Sequence, residues 1–134
     1  MMKRIVSTVL IVLFIILCVV LFAMTSHAES NPYGEPFLAE ATYYCDDGIT
    51  ASGKQVRSGI AAAKKDWIGK TAILYKVDED GSVGQLIGIW EIEDTGGDQR
   101  IKDGKVVDIY LEDYGQCVEN GRIDVYVQIV DAKG

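Results

Sequence analysis

Beyond residue 36, no stretch of the chain keeps helical periodicity for three turns, and this limits its fold more than any other feature. Apolar residues come instead in short runs between turn signals. "FLAEATYYC" (37–45), "IAAA" (60–63), "TAILYKV" (71–77), "LIGIWEIED" (86–94), "VVDIYLE" (106–112) and "RIDVYVQIV" (122–130) each read as a strand. The last alternates cleanly, with Ile123, Val125, Val127 and Ile129 on one face and Asp124, Tyr126 and Gln128 on the other. "DEDGSVG" (78–84) and Asn120-Gly121 are turn signals. Only "AKKDWIGK" (63–70) and "LEDYGQCV" (111–118) have room for a single helical turn each. Six short strands at this size predict an all-β domain, a small closed barrel or a sandwich.

The first 28 residues stand apart. "MMKR" is a basic start, "IVSTVLIVLFIILCVVLFAM" (5–24) is apolar except for Ser7 and Thr8, and "TSHA" puts Ser26 and Ala28 at the −3 and −1 positions of a signal-peptidase site. The apolar stretch of about 20 residues is also long enough to span a bilayer. Residues 1–28 are therefore a cleaved signal peptide or a retained membrane anchor with Lys3 and Arg4 on the cytoplasmic side. Either reading places the remainder outside the cytoplasm. "ESNPYGEP" (29–36) is a linker, and 37–134 form one small domain with a single core.

Charge and inventory narrow the chemistry. Without Lys3 and Arg4, 11 basic residues face 20 acidic ones, a net charge of −9. That argues against nucleic-acid binding, which needs a basic face. The single histidine, His27, lies in the leader. The exported part thus has no Ser-His or Cys-His catalysis and no histidine metal site, which leaves carboxylates for acid–base work. No cofactor or metal is expected. Cys45 and Cys117 are an even pair in an oxidising compartment. A disulfide between them would close a loop of about 70 residues and contribute about 4 kcal/mol on the chain-entropy account; the alternative is two thiols that never meet.

Two aspartates are candidates. In "VVDIYL", Val107, Ile109 and Leu111 point one way, so Asp108 and Tyr110 share the other face. That face is either solvent or a groove, and a groove would raise the Asp108 pKa and suit a general acid. Asp94 ends a strand before Thr-Gly-Gly, a position where an aspartate also serves simply by bonding turn amides. Glu91 and Glu93 alternate on that strand and are expected at the surface, as are Asp98 and Asp113.

Four segments in order, "EATYYCDDGITASG" with "GIAAA", "IEDTGG…IKDGKVVDIYL" and "GRIDVYVQIV", resemble the three-aspartate (3D) domain over residues 40–131. This is the module of membrane-bound lytic transglycosylase A and of the Firmicutes stationary-phase survival proteins, more distantly similar to rare-lipoprotein-A-like and expansin barrels. The resemblance implies a six-stranded double-psi β-barrel acting on peptidoglycan. Asp108 matches the catalytic acid and Asp94 its partner. Thr42, Tyr44, Thr50, Ser52 and Gly53 match the groove-walling segment, Gly96 and Gly97 the Gly-Gly turn, and Lys102 a substrate donor; Tyr110 stands beside the acid. Tyr43 and Trp67 are further aromatics for such a groove. The family's other aspartate is matched by Lys64, with Asp66 two residues on, and "DQR" (98–100) and Asp103 are extra.

The implied reaction needs no water. A raised-pKa carboxylic acid protonates the glycosidic oxygen, and the sugar's own 6-hydroxyl attacks to leave a 1,6-anhydro end. The expected partner is the peptidoglycan glycan strand, met by a monomer that touches membrane only through its N-terminal segment. Alternatives on the same barrel are a wall-binding module of expansin type and a glycan hydrolase with Asp94 as base.

Overall fold

The computed structural model describes residues 2–25 and 34–132, which fall into two separate units. The expected cleavage site at Ser26 and Ala28, and the linker as far as residue 33, lie outside the described residues. In the first unit, helix α1 (Met2–Thr25) is long and apolar enough over Met2–Leu21, at mean hydropathy 3.0, to cross a membrane. The second unit runs β1 (Phe37–Tyr44), β2 (Ile60–Ala62), a 3-10 turn at Lys65–Trp67, β3 (Lys70–Val77), β4 (Val83–Asp94), α2 (Gln99–Lys102), β5 (Val106–Tyr110), α3 (Tyr114–Asn120) and β6 (Ile123–Asp131).

Every strand expected from the sequence is present, and the six close into a barrel in the order β1-β5-β2-β4-β3-β6. Barrel, rather than sandwich, is the outcome. β1 with β5 and β2 with β4 are parallel, and the other four pairings are antiparallel. Only β3 and β4 form a local hairpin, closed at Asp78–Ser82.

Six strands enclose less space than the eight of common ligand-binding barrels, so the interior must take small side chains. Ala39, Ala41, Ala61, Ala63 and Ala72 supply them, with Leu74, Ile92, Val107, Ile109, Val125 and Val127 filling the rest. The alternation expected of β6 holds for Val125 and Val127, whereas Ile123 at the strand's start is 39% exposed. Gln128, expected outward, is buried because Tyr75 Oη donates to its carbonyl and its amide donates to the Gly34 carbonyl.

A second apolar layer lies outside the barrel wall. Val56, Ile60 and Tyr110 pack together with Tyr44, and they cover the outer face of β1, β5 and β2 with the segment that follows β1. β5 is consequently covered on both faces, with Val107 and Ile109 inward and Val106 and Tyr110 outward all buried. Tyr110 does not present its ring to a groove, contrary to the expectation from strand parity: it is 6% exposed and packs edge-on against Tyr44, with ring centroids 5.4 Å apart.

Glu93 is the second departure. The β2–β4 register runs Ile60↔Glu91, Ala61↔Ile92, then Ala62↔Asp94, so a bulge at Glu93 places two residues of β4 opposite one step of β2. The bulge breaks the alternation from which Glu93 was expected at the surface. Glu93 is 4% exposed, clamped by Lys54 Nζ at 2.8 Å and by both terminal nitrogens of Arg57, while Glu91 takes a second bond from Arg57 at 2.7 Å. Its carbonyl also accepts from the Ser52 amide. Five bonds thus fasten the 50–57 segment to the end of β4.

The Arg57 hydrogen bond, followed by those of Lys54, holds the Glu93 carboxyl down at about 2, against a burial effect that opposes them. Since this pKa lies below the unfolded value, the unfolded state binds more protons in acid. The stabilisation is complete above about pH 4.5 and is lost as pH falls toward 2. Glu93→Gln is expected to lower the unfolding free energy by about 1–2 kcal/mol at pH 7. The difference from the parent should shrink between pH 4.5 and 2, as read by urea denaturation across that range.

Candidate active site

One row of residues crosses four neighbouring strands. Thr42 on β1 pairs with Asp108 on β5, Asp108 with Ala62 on β2, and Ala62 with Asp94 on β4. The bulge at Glu93 sets Asp94, rather than Glu93, at the end of this row. The Ala62 methyl group stands between two carboxylates, and its small size leaves the floor of a cleft of about 260 Å³. The cleft is lined by Asp94 and Asp108, by Tyr44 at its back, and by Asp46, Asp47 and Thr50 of the covering segment.

Asp108 is partly buried because that segment and α2 cover the outer face of β5. Burial raises its pKa. The Thr42 hydroxyl, donating at 2.8 Å, works against this, and the charges of Asp46 and Asp94 add to the rise. A carboxyl in this setting holds its proton more tightly than a solvated one and can deliver it to a bound group.

Asp94 is held differently. Its Oδ1 accepts from the Ala51 amide at 3.0 Å and from the Thr95 amide at 2.9 Å. The turn-bonding role weighed from its Asp-Thr-Gly-Gly context is therefore real, but it operates at the cleft wall. Gly96 follows because the Ile101 methyl lies 2.9 Å from where a Cβ would stand.

Tyr44 carries the one orphan among the described residues: its hydroxyl is buried with no hydrogen-bond partner. Burial first, then the charges of Asp94 and Asp108, push its pKa well above the ordinary tyrosine value. It stays a neutral donor beside two carboxylates. An unmade bond of this kind costs free energy until a ligand or water supplies the acceptor.

The other expected residues divide. Thr50 is 4% exposed, lines the cleft and bonds Ser52 at 2.8 Å. Ser52 therefore braces the loop and does not line the cleft. Gly97 and Lys102 do not line this cleft, and Lys102 is exposed on α2. Gly104, after the extra Asp103, has φ +73 and lies under the Trp67 ring, where a Cβ would come within 2.7 Å of it. Trp67 also packs on Phe37, so it is a packing residue and not a groove wall.

Lys64 and Asp66, at the position of the third family aspartate, pair with each other at 4.0 Å away from the cleft. The further carboxylates come instead from Asp46 and Asp47. Sequence reading missed these, although "YYCDDG" sets two acids directly after a strand that ends at the site.

Cys45 and Cys117 are free thiols in hydrogen-bonding contact, so the two segments that a disulfide would join lie side by side. Burial, then the neighbouring Cys45 thiol, push Cys117 up to about 11. A thiol held protonated in this way is a poor nucleophile for exchange. Among the described residues no group of three or more His, Cys, Asp or Glu is placed to hold a metal ion.

Thr42→Val removes the one hydrogen bond that favours ionised Asp108 while keeping the side chain's shape. The Asp108 carboxyl is expected to titrate at higher pH in the variant, followed by carbon-13 NMR of its carboxyl signal. An unchanged titration would mean that the bond does not act on the charge.

No protein-family model matches the chain, and no curated protein matches it. Among solved structures, the Streptomyces papain inhibitor (SPI) is similar in fold, with TM-score 0.52 and 16% sequence identity over 74% of this chain and 97% of that one. At this identity the likeness establishes a shared small barrel and nothing about activity.

Proposed function

We propose that the chain is an exported glycan-cleaving domain of the lytic transglycosylase type, acting on peptidoglycan, on a barrel of the double-psi kind found in 3D-domain proteins. The observation that carries this reading is the placement of Asp108. It is a partly buried carboxyl with a raised pKa, at the floor of an open cleft, one small residue away from a second carboxylate.

In the proposed reaction Asp108 donates its proton to the glycosidic oxygen as the bond to the anomeric carbon breaks. The sugar's 6-hydroxyl attacks that carbon, and Asp108, now a carboxylate, takes the hydroxyl proton. One residue thus serves as acid and then base, and the product ends in a 1,6-anhydro sugar. Asp94 raises the Asp108 pKa by like charge. The unpartnered Tyr44 hydroxyl is the donor for a sugar oxygen in the cleft. The apolar helix α1 suits a leader or tether that delivers the barrel to the outer face of the membrane, where the wall lies.

A second reading is a module that binds without cutting. It is favoured by Lys64, which stands where the resembled family has an aspartate and points to no carboxylate role in the cleft. The structural neighbour of similar barrel form is named as an inhibitor of papain.

Incubation of the purified chain with peptidoglycan should release 1,6-anhydro-muropeptides, identified by mass spectrometry. Reducing-end products would assign a hydrolase with Asp94 activating water, and binding without release would assign the second reading. Asp108→Asn should abolish release. Its Tm at pH 7 should equal or exceed the parent's, because a carboxyl whose folded pKa is raised costs stability once pH climbs through that pKa. A variant that unfolds would make Asp108 structural and remove it from the mechanism.

A further inference from the structure

Asp108 lines two cavities. Besides the cleft described above, a second space of about 410 Å³ opens on its other side, walled by Thr42, Asp98, Arg100, Cys117 and Arg122. The two spaces differ in charge. The first carries Asp46, Asp47 and Asp94 and no basic side chain. The second carries two guanidinium groups against Asp98 and Asp108 itself, so its charges balance when both carboxyls are ionised.

The arginines are held in a defined way. Arg100 comes from α2 and Arg122 directly precedes β6, and they meet at a single carboxylate, Glu40 of β1. One oxygen of Glu40 accepts from Arg100 at 3.0 Å and the other from Arg122 at 3.5 Å. A guanidinium has five N–H donors, and one contact with Glu40 leaves most of them for another acceptor. The two side chains are 42% and 65% exposed, within reach of a ligand in the cavity. Three arginines lie in the barrel unit, and the remaining one, Arg57, is committed to Glu93 and Glu91.

This arrangement also accounts for the extra "DQR". Asp98 caps α2 by accepting from the Arg100 amide at 2.8 Å, and the short helix it starts carries Arg100 to the lip of the groove. The carboxylate of Asp98 is engaged in that cap, whereas the guanidinium it positions faces the cavity.

We infer that Arg100 and Arg122 form a carboxylate-binding subsite, so that the groove takes an anionic glycan and seats its acid-bearing sugar on the arginine side of Asp108. The inference rests on the glycan-cleaving reading above and adds direction to it. A carboxylate placed in the other half would meet three aspartates, while on this side it meets two planar donors suited to paired hydrogen bonds. A strand that alternates charged and uncharged sugars can then lie in the groove in only one sense.

The test uses soluble peptidoglycan glycan strands stripped of their stem peptides, which frees the carboxylate on alternate sugars, in two forms, native and with those carboxylates amidated by carbodiimide and ammonia. The full chain in detergent should bind the native form about tenfold tighter, the value of one charge-assisted hydrogen bond. Arg100→Gln and Arg122→Gln should each reduce this preference, and the double variant should abolish it through weaker binding of the native form alone. Each single variant leaves one arginine on Glu40, so its fold can be checked by thermal melting, and Arg122→Lys should restore part of the preference by restoring charge. A parent that binds both forms equally, or singly substituted variants that keep the full preference, would overturn the subsite and leave the glycan reading standing. A parent that binds neither form would overturn the glycan reading and the subsite with it.

Discussion

The narrowness of the barrel governs the rest of the molecule. Six strands leave room for alanines where a wider barrel would hold leucines, and five alanines line the interior accordingly. An interior this small cannot by itself hold a ligand or supply a large core. The outer face of β1, β5 and β2 therefore gains its own apolar cover, from Val56, Ile60, Tyr44 and Tyr110, and the candidate site lies between that cover and the wall. The cleft is a seam between two layers, and the barrel's lumen plays no part in it.

The seam works because two local devices hold its edges. The bulge at Glu93 turns that carboxylate toward Lys54 and Arg57, which fastens the covering segment, and leaves Asp94 facing the cleft. On the far side Asp98 starts the short helix that carries Arg100. Asp108 stands between these edges on β5, a strand covered on both faces, which is why its carboxyl is removed from water without lying in the core. A fold does not fix a function, so any activity must come from these side chains and not from the architecture.

Much of this was legible in the residues. Strand positions followed from short apolar runs and turn signals, because a strand's two faces are written in alternate residues. The pairing of Thr42 with Asp108 was not legible, since β1 and β5 are 60 and more residues apart and parallel. Parity failed at Glu93, where a bulge inserts a residue, and at Tyr110, where a second layer covers the face that alternation marks as outward. Asp46 and Asp47 escaped notice because nothing in "CDDG" separates a loop at a cleft from a loop in solvent.

By itself the sequence determined the all-β character, the six strand positions, the apolar N-terminal helix and the lack of any histidine in residues 29–134. Each is a property of composition or local period, which act over a few residues. Tertiary structure alone decided that the strands close as β1-β5-β2-β4-β3-β6, that Ala62 separates Asp94 from Asp108, and that Cys45 and Cys117 lie side by side. It also decided which acids are solvated, which are clamped and which one has its pKa raised by burial. Those outcomes depend on which distant segments share a wall, and burial and charge proximity exist only once that wall has formed.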